Sequence, residues 1–142
     1  MKKKQNLKIV TNSIAVATAL GDISNLRVTL LGGDINARYG FTYGSMAQEQ
    51  LSTFQANWAI LSVDGVSPTG GITTYHAEEA ILDRLMIEGA SQPLIVADSS
   101  KIGRVGFSRV RECSALTLIT NKCPLSEVTD QLGECGMKIY YV

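Results

Sequence analysis

The sequence predicts an α/β fold, a three-layer, mostly parallel open sheet with helices on both faces. Strand-like and helix-like segments alternate along the chain, which is typical of parallel sheets with crossover helices. Several of the strand-like segments, such as 58–63 and 93–97, are nearly continuous apolar runs, as expected for strands covered on both faces. The chain has 142 residues, of which 45% are hydrophobic, so we expect a single domain over residues 1–142.

The predicted strands are short apolar or β-branched runs bounded by polar residues or glycine. They cover 7–11, 26–31, 58–63, 94–97, 116–120 and 137–142. The predicted helices have apolar positions at helical spacing or residues that favour helix ends. They cover 14–20, 44–54, 76–88 and a segment from Pro124 to Gly136. The second helix is expected to face the core with Ala47, Leu51 and Phe54, and the fourth with Leu125, Val128, Leu132 and Cys135. Segments 34–43, 64–75 and 98–115 are predicted as irregular loops.

Charge and cysteine content exclude several classes of function. Thirteen basic and thirteen acidic side chains cancel, so the chain lacks the basic surface of a self-sufficient nucleic-acid binder. We expect Lys2–Lys4 to be a solvated end, and no apolar run reaches the ~18 residues of a membrane helix. Three cysteines and one histidine without metal-type spacing predict free thiols in a reducing cytoplasm, with no metal and no cofactor.

Small polar residues follow nearly every predicted strand. Because parallel strands bring their carboxyl ends to one edge of a sheet, these residues are expected to converge on a small-molecule site. Helix caps and turns favour the same residue types, so a purely structural role stays open for any single set. The sets are Thr11–Ser13, Gly32–Asp34, Ser62–Gly65, Asp98–Lys101 and Thr120–Lys122.

The most informative of these sets is the one that follows the apolar run 93–97. Its Lys101 suits a phosphate or a carboxylate, and its Asp98 suits sugar hydroxyls. The alternative is that Asp98 caps a local turn.

Two glycine-containing segments suggest anion binding more weakly. Gly32 and Gly33 could let backbone N–H groups approach an anion, with Arg38 as a bidentate clamp or an exposed loop residue. Gly71 to Thr74 precede a predicted helix whose positive end would favour an anion, although Thr74 could simply cap that helix. Glu79 fits the first helical turn without any functional role.

The order of these motifs is similar to a known family. The order of segments 10–13, 30–34 (with Arg38), 59–65, 71–74 (with Glu78 and Glu79) and 97–103 resembles that of the C-terminal effector domain of DeoR-family bacterial transcriptional repressors. The resemblance implies a fold related to ribose-5-phosphate isomerase and glucosamine-6-phosphate deaminase. It also implies binding of a phosphorylated sugar or related metabolite, homo-oligomerisation, and operator binding through an N-terminal winged-helix domain.

The chain departs from that family at its start. The winged helix and the first strand-helix unit, with its Asp-Ser-Gly-Thr-Thr-like phosphate loop, are absent from the sequence. The resemblance therefore implies that residues 1–142 form a single effector-binding and oligomerisation domain, N-terminally truncated relative to the family and with an incomplete phosphate subsite. A missing sheet neighbour would leave a strand edge open for pairing.

We predict a metabolite sensor without catalytic residues, without a membrane partner, and with DNA contact only through the absent winged helix. One alternative is a sugar-phosphate isomerase or deaminase that uses Asp64, Asp98 or Glu79 as a general base. Another is an oligomerisation fragment that no longer binds ligand. The predicted effector-binding residues are Asn12, Gly32, Gly33, Arg38, Asp64, Gly71, Thr73, Thr74, Glu79, Asp98 and Lys101.

Overall fold

The computed structural model describes residues 6–142 and has the predicted α/β architecture, with a parallel four-stranded sheet as expected for a three-layer fold. The helices are α1 (Ile14–Leu20), α2 (Ser45–Ser52), α3 (Ala77–Glu88) and α4 (Ser126–Glu134). The strands are β1 (Leu7–Thr11), β2 (Leu26–Leu30), β3 (Asp34–Asn36), β4 (Phe41–Tyr43), β5 (Ala56–Ser62), β6 (Gly65–Ser67), β7 (Gly71–Thr74), β8 (Ala90–Val96), β9 (Ser108–Arg111), β10 (Thr117–Thr120) and β11 (Lys138–Tyr141). The prediction for Lys2–Lys4 lies outside the described residues.

The chain divides into two compact units, one ending at Phe54 and one from Gln55 to Val142. The second unit contains the four-stranded parallel sheet, in the order β11-β10-β8-β5. Its buried face packs with α3 and α4 into one apolar cluster, to which β8 contributes Ile95 and β10 contributes Leu118. Both side chains are fully buried, so this cluster is the main stabilising core of the unit.

The other face of this sheet is exposed along β5. On β5, Trp58 and Ile60 are 53% and 69% exposed, while the alternating Ala59 and Leu61 are buried. The expectation that the apolar strands are covered on both faces is therefore wrong for β5. Its apolar run resembles a fully buried strand in composition alone, and composition does not show which face is covered.

The unit that ends at Phe54 is built on the parallel pair β1 and β2, in which Leu7 lies opposite Leu26. Helix α1 begins as predicted, because the Ser13 hydroxyl accepts a hydrogen bond from the Val16 N–H. Helix α2 ends at Ser52, so Phe54 lies beyond it and is 39% exposed. The prediction of Phe54 as a core residue is therefore wrong.

All three predicted loops contain short strands instead. Segment 34–43 is the antiparallel hairpin β3-β4, and segments 64–75 and 98–115 supply the antiparallel sheet β6-β7-β9. These strands have three or four residues, too few to show a period of two in the sequence. Gly71 has φ +75°, and a Cβ there would lie 2.4 Å from the carbonyl oxygen of Arg111, so close packing of β7 on β9 requires this glycine.

Helix α4 begins later than its sequence pattern suggests. Pro124 precedes the N-cap residue Leu125, and the helix starts at Ser126. Leu132 is buried as predicted, but Leu125 is 48% exposed and Cys135 is also exposed. The predicted stripe is correct at its centre and wrong at both ends, where the helix begins and stops.

Candidate functional site

Register in the parallel sheet brings two predicted acids to one edge. Ser62 and Val96, the last residues of β5 and β8, lie opposite each other. Asp64 and Asp98 each follow two residues later, at the carboxyl edge where α/β folds bind ligands. Asn121 directly follows β10, the next strand in the sheet, and lies at the same edge.

A hydrogen-bonded chain of two carboxyl groups and one hydroxyl lies at this edge. The Thr74 hydroxyl oxygen is 2.9 Å from Asp64 Oδ2 and 3.1 Å from Glu79 Oε2, and Thr74 is 1% exposed. The Tyr75 N–H also donates to Asp64 Oδ2, at 3.0 Å. Strand β7, the first turn of α3 and the turn between β5 and β6 thus hold these three side chains, which we call the carboxyl–hydroxyl chain.

The two acids of the carboxyl–hydroxyl chain share a single donor. The Thr74 hydroxyl has one hydrogen, and both carboxyl groups have an oxygen within hydrogen-bond distance of it. Burial raises the pKa of Glu79, and the nearby Asp64 charge adds to this, against the opposing effect of the Thr74 hydrogen bond. This upward shift of the pKa favours the protonated form of Glu79 more than for an exposed glutamate.

Sequence reasoning missed a third acid, Asp83. It lies one helical turn after Glu79, is 5% exposed, and its Oδ2 has no hydrogen-bond partner among residues 6–142. Burial, followed by the charges of Glu79 and Asp64, raises its pKa to about 8. The signal that could have found it is the spacing of four residues from Glu79, which puts both acids on one helix face.

Asp98 acts as a cap. Its Oδ1 accepts hydrogen bonds from the N–H and the hydroxyl of Ser100, and so begins a 3₁₀ turn over Ser99–Lys101. These bonds lower the pKa of Asp98, and Lys101 adds to this effect. The Asn121 side chain holds the same turn, because its Oδ1 accepts from the Ser99 N–H at 2.7 Å. The cap alternative is thus correct for Oδ1, while ligand binding by Asp98 stays a prediction.

Lys101 remains available for an anion. It is half-buried, and within the described part of the chain its ammonium group makes no hydrogen bond or ion pair. The residues that follow it are fixed, since Ile102 bridges Val66 and the Gly103 N–H donates to the Val66 carbonyl at 2.7 Å. The segment with Lys101 is therefore tied to β6, which begins directly after Asp64.

Two other predicted site residues, Thr73 and Gly71, have structural roles in the packing of β7 against neighbouring backbone. The hydroxyl of Thr73, which is 2% exposed, accepts a hydrogen bond from the Gly106 N–H at 2.7 Å. Gly71 allows the contact between β7 and β9 described above. The suggestion that Thr74 caps α3 is wrong, since the N-cap residue is His76 and the Thr74 hydroxyl contacts Asp64 and Glu79.

The remaining predicted residues lie in the unit that ends at Phe54. The Asn12 side chain donates to the Thr42 carbonyl at 3.4 Å, and the exposed Arg38 guanidinium lies 5.6 Å from the centre of the Tyr39 ring. Both side chains therefore have local roles in this unit, and their contact with a ligand stays a prediction.

The glycine pair Gly32–Gly33 is also engaged locally. The Gly32 N–H donates to Gln50 Oε1 at 2.7 Å. Gly33 has φ +130°, and a Cβ there would lie 2.4 Å from the Tyr43 carbonyl oxygen. Close backbone packing is thus sufficient to explain Gly33, and one of the two amides expected to face an anion is already bonded.

Residues 6–142 contain no disulfide, no cluster of metal-binding side chains and no membrane-spanning helix. All three cysteines are free, and burial raises the pKa of Cys113 to about 11. No group of three histidine, cysteine, aspartate or glutamate side chains in this range is arranged to hold a metal ion. No helix in the same range is long and apolar enough to span a membrane.

Comparison with known proteins identifies the family. The family described as "DeoR C terminal sensor domain" matches residues 1–122. The HTH-type transcriptional repressor GlcR of Bacillus subtilis is 35% identical over 92% of the chain, which covers 51% of that protein. The glycerol-3-phosphate regulon repressor of Escherichia coli K12 is 29% identical over 84% of the chain, and the putative aga operon transcriptional repressor of Escherichia coli O157:H7 is 28% identical over 84%.

The matched regions cover 47% of the glycerol-3-phosphate regulon repressor and 44% of the putative aga operon repressor. The chain thus spans about half the length of the curated relatives it matches. The family match covers well over half of the chain and agrees with the α/β fold and with the order of its motifs. The chain belongs to the DeoR family, as a C-terminal sensor domain.

Proposed function

We propose that this chain is the metabolite-sensing domain of a bacterial transcriptional regulator of sugar metabolism. It binds a phosphorylated sugar or a related metabolite, and binding controls how a winged-helix domain outside this chain holds operator DNA. The observation that carries the proposal is the arrangement at one edge of the sheet. The carboxyl–hydroxyl chain lies there, and the bridge between Val66 and Ile102 ties the segment with the unpaired Lys101 to the strand that follows Asp64. The names of two relatives, a glycerol-3-phosphate regulon repressor and an aga operon repressor, support this class of ligand.

The chemistry of this edge suits a ligand that is anionic at one end and rich in hydroxyls elsewhere. Asp64 and Glu79 have carboxyl oxygens that accept hydrogen bonds from sugar hydroxyls. Lys101 is a compact positive charge that can pair with a phosphate. The Thr74 hydroxyl lies between these two carboxyl groups and adds a group that can donate or accept a hydrogen bond.

A regulatory rather than a catalytic role is supported by the relatives, which are named as transcriptional repressors. A sensor needs a ligand that binds one conformation of the regulator better than another, and coupling of about 1–3 kcal/mol is typical. The alternative of a sugar-phosphate isomerase or deaminase draws on the raised pKa of Glu79, which would suit a general acid or base. Turnover of a sugar phosphate by the purified chain would favour that alternative.

The proposal is tested by thermal shift and calorimetry of the chain with hexose phosphates, glycerol 3-phosphate and inorganic phosphate. We expect saturable stabilisation by at least one organic phosphate. Lys101→Ala should weaken binding by about tenfold or more, because it removes a charge-assisted hydrogen bond. The matched control is Lys138→Ala, an exposed lysine at the amino end of β11, on the opposite edge of the same sheet.

Two results would contradict the proposal. The first is that no member of the panel binds saturably. The second is that Lys101→Ala and Lys138→Ala bind the active ligand equally well, which would remove Lys101 from the site.

A further inference from the structure

Two of the three cysteines lie at the same edge of the four-stranded sheet. Cys113 comes shortly before β10, and Cys135 comes shortly before β11. Strands β10 and β11 are parallel neighbours, and their first residues, Thr117 and Lys138, lie opposite each other. Because parallel neighbours begin at the same edge of a sheet, the two thiols belong to adjacent segments at the amino edge.

Direct contacts hold these two segments together. The Ala115 N–H, two residues after Cys113, donates to the carbonyl of Gly136 at 3.3 Å. A Cβ on Gly136, which directly follows Cys135, would lie 3.8 Å from the Ser114 Cα, an ordinary van der Waals distance. The residues next to the two cysteines are therefore in contact with each other.

The two sulfur atoms also face the same short stretch of backbone. Cys113 Sγ lies 3.3 Å from the Ser67 carbonyl oxygen, and Cys135 Sγ lies 3.9 Å from the carbonyl oxygen of Pro68. Consecutive Cα atoms are only ~3.8 Å apart, so the thiols lie beside neighbouring peptide groups where β6 ends. Burial raises the pKa of Cys113 to about 11, and the nearby Cys135 adds to this effect.

The two thiols differ in exposure, as a reacting thiol and a second thiol that completes the reaction should. Cys113 is 3% exposed, whereas Cys135 is exposed at the end of α4. Oxidation of cysteine follows exposure and thiolate character, so Cys135 should react first. A Cβ on Gly133 would have no atom within 4 Å, and Gly136 has φ +94°, so the backbone around Cys135 has room to adjust.

We propose that Cys113 and Cys135 form a reversible disulfide bond when the protein meets a peroxide. The Cys135 thiolate attacks one oxygen of hydrogen peroxide, the O–O bond breaks, and hydroxide leaves, so that Cys135 becomes a sulfenic acid. The sulfur of Cys113 then displaces the sulfenic hydroxyl group, which leaves with the Cys113 proton as water. Two thiols and one peroxide give one disulfide and two waters, and the two electrons lost by the sulfurs reduce the peroxide.

The fold separates the third cysteine from this pair. Cys123 follows β10, at the carboxyl edge of the sheet, whereas Cys113 precedes that strand. Helix α4 lies between Cys123 and Cys135, and its nine residues span ~13 Å, about twice the Cα separation that a disulfide allows. The native geometry therefore favours one of the three possible pairings, and this proposal does not depend on the proposed ligand.

Mass spectrometry of the full chain tests the proposal. The folded chain is treated with a small molar excess of hydrogen peroxide, and the remaining thiols are alkylated in urea. We expect two of the three thiols to be lost, a peptide that links Cys113 to Cys135 after digestion, and full reversal by dithiothreitol.

Three outcomes would overturn the proposal. The first is that all three thiols stay free, and the second is that the main bridge contains Cys123. The third is a sulfinic acid at Cys135 beside a free Cys113, which would mean that the buried thiol does not reach the sulfenic acid.

Substitutions provide the second arm. Cys135→Ser should abolish the bridge and leave the buried Cys113 as a free thiol at the same peroxide dose. The matched control is Cys123→Ser, which should form the bridge to the same extent as the unmodified chain. Equal loss of the bridge in both variants would contradict the assignment, and peptide mapping on the unmodified chain does not depend on either variant folding.

The same oxidation in urea tests whether the fold selects the pair. In the unfolded chain the pairs that include Cys123 close shorter loops, so they should form more readily than the pair of Cys113 and Cys135. The folded chain should show the reverse preference. An identical distribution of bridges with and without urea would contradict selection by the native structure.

Discussion

The two units of the chain differ sharply in how much apolar surface they bury. The unit from Gln55 to Val142 contains a cluster of sixteen buried side chains. The described residues of the other unit contribute four buried apolar side chains, Leu31, Phe41, Ala47 and Leu51. Since small cores give little net stability, we infer that the unit from Gln55 to Val142 is the stable scaffold and that the unit ending at Phe54 is only marginally stable.

This difference bears on where function is located. The carboxyl–hydroxyl chain and Lys101 are all held by the unit with the larger core, through β7, α3 and the turns after β5 and β8. Binding residues need a rigid frame if they are to hold a ligand in one geometry. The residues predicted in the other unit, such as Arg38, lie on a less extensively packed frame.

Truncation of one leucine in each unit should have the largest effect and tests this comparison. Leu118→Ala should lower the free energy of unfolding by about 3–5 kcal/mol, because Leu118 is fully buried and leaves a cavity. Leu51→Ala, at 9% exposure in a smaller core, should cost about 1–3 kcal/mol. Trp58 is the only tryptophan and lies in the larger unit. Its fluorescence in urea should therefore show the destabilisation caused by Leu118→Ala and little of that caused by Leu51→Ala. Equal shifts for both variants would contradict the comparison.

The next effect concerns the buried acid of the larger unit. The pKa of Asp83 rises from 3.8 to about 8 on folding, so above pH 3.8 the unfolded chain releases a proton that the native chain keeps. Stability should therefore fall as pH rises between these values, by about 1.4 kcal/mol per pH unit from this group.

Asp83→Asn should remove that contribution to the slope, measured by urea unfolding at several pH values. The matched control is Glu88→Gln, an exposed acid at the end of the same helix, which should leave the slope unchanged. If the slopes of the two variants are the same, the buried acid is not its source.

A smaller effect is expected in the unit that ends at Phe54. Gly33→Ala should destabilise this unit by about 2–3 kcal/mol, because φ is +130° and the new Cβ would collide with a carbonyl oxygen. Gly40→Ala is the matched control, with φ +71° but no atom within 4 Å of its Cβ, and should cost about 1 kcal/mol. Hydrogen exchange of residues 6–54 measures both, and equal costs would mean that the Tyr43 contact is unimportant.

Secondary-structure elements could be predicted from the sequence where neighbouring residues alone define them. Strand β1 and helix α1 were predicted within their observed bounds, since a β-branched run and the Ser13 cap define them locally. Strands β6, β7 and β9 were missed because pairing between distant segments forms them. Long-range pairing of this kind leaves almost no trace in a run of three or four residues.

Site prediction failed or succeeded for similar reasons. Asp64, Thr74 and Glu79 were chosen separately, from a strand end and a helix start, and the structure joins them. Asp83 was missed because an acid within a helix usually faces solvent, and only the packing of α3 shows that it is buried. For Asp98 the sequence offered a cap and a ligand contact, and the structure establishes only the cap.

Amide chemical shift mapping by NMR tests the central claim, sensing by the larger unit, most directly. The full chain would be titrated with the organic phosphate that stabilises it, with inorganic phosphate as the reference. The account predicts saturable shifts centred on Thr74, Tyr75 and the turn Ser99–Lys101. Shifts confined to residues 6–54, or no saturable shifts with any organic phosphate, would contradict it.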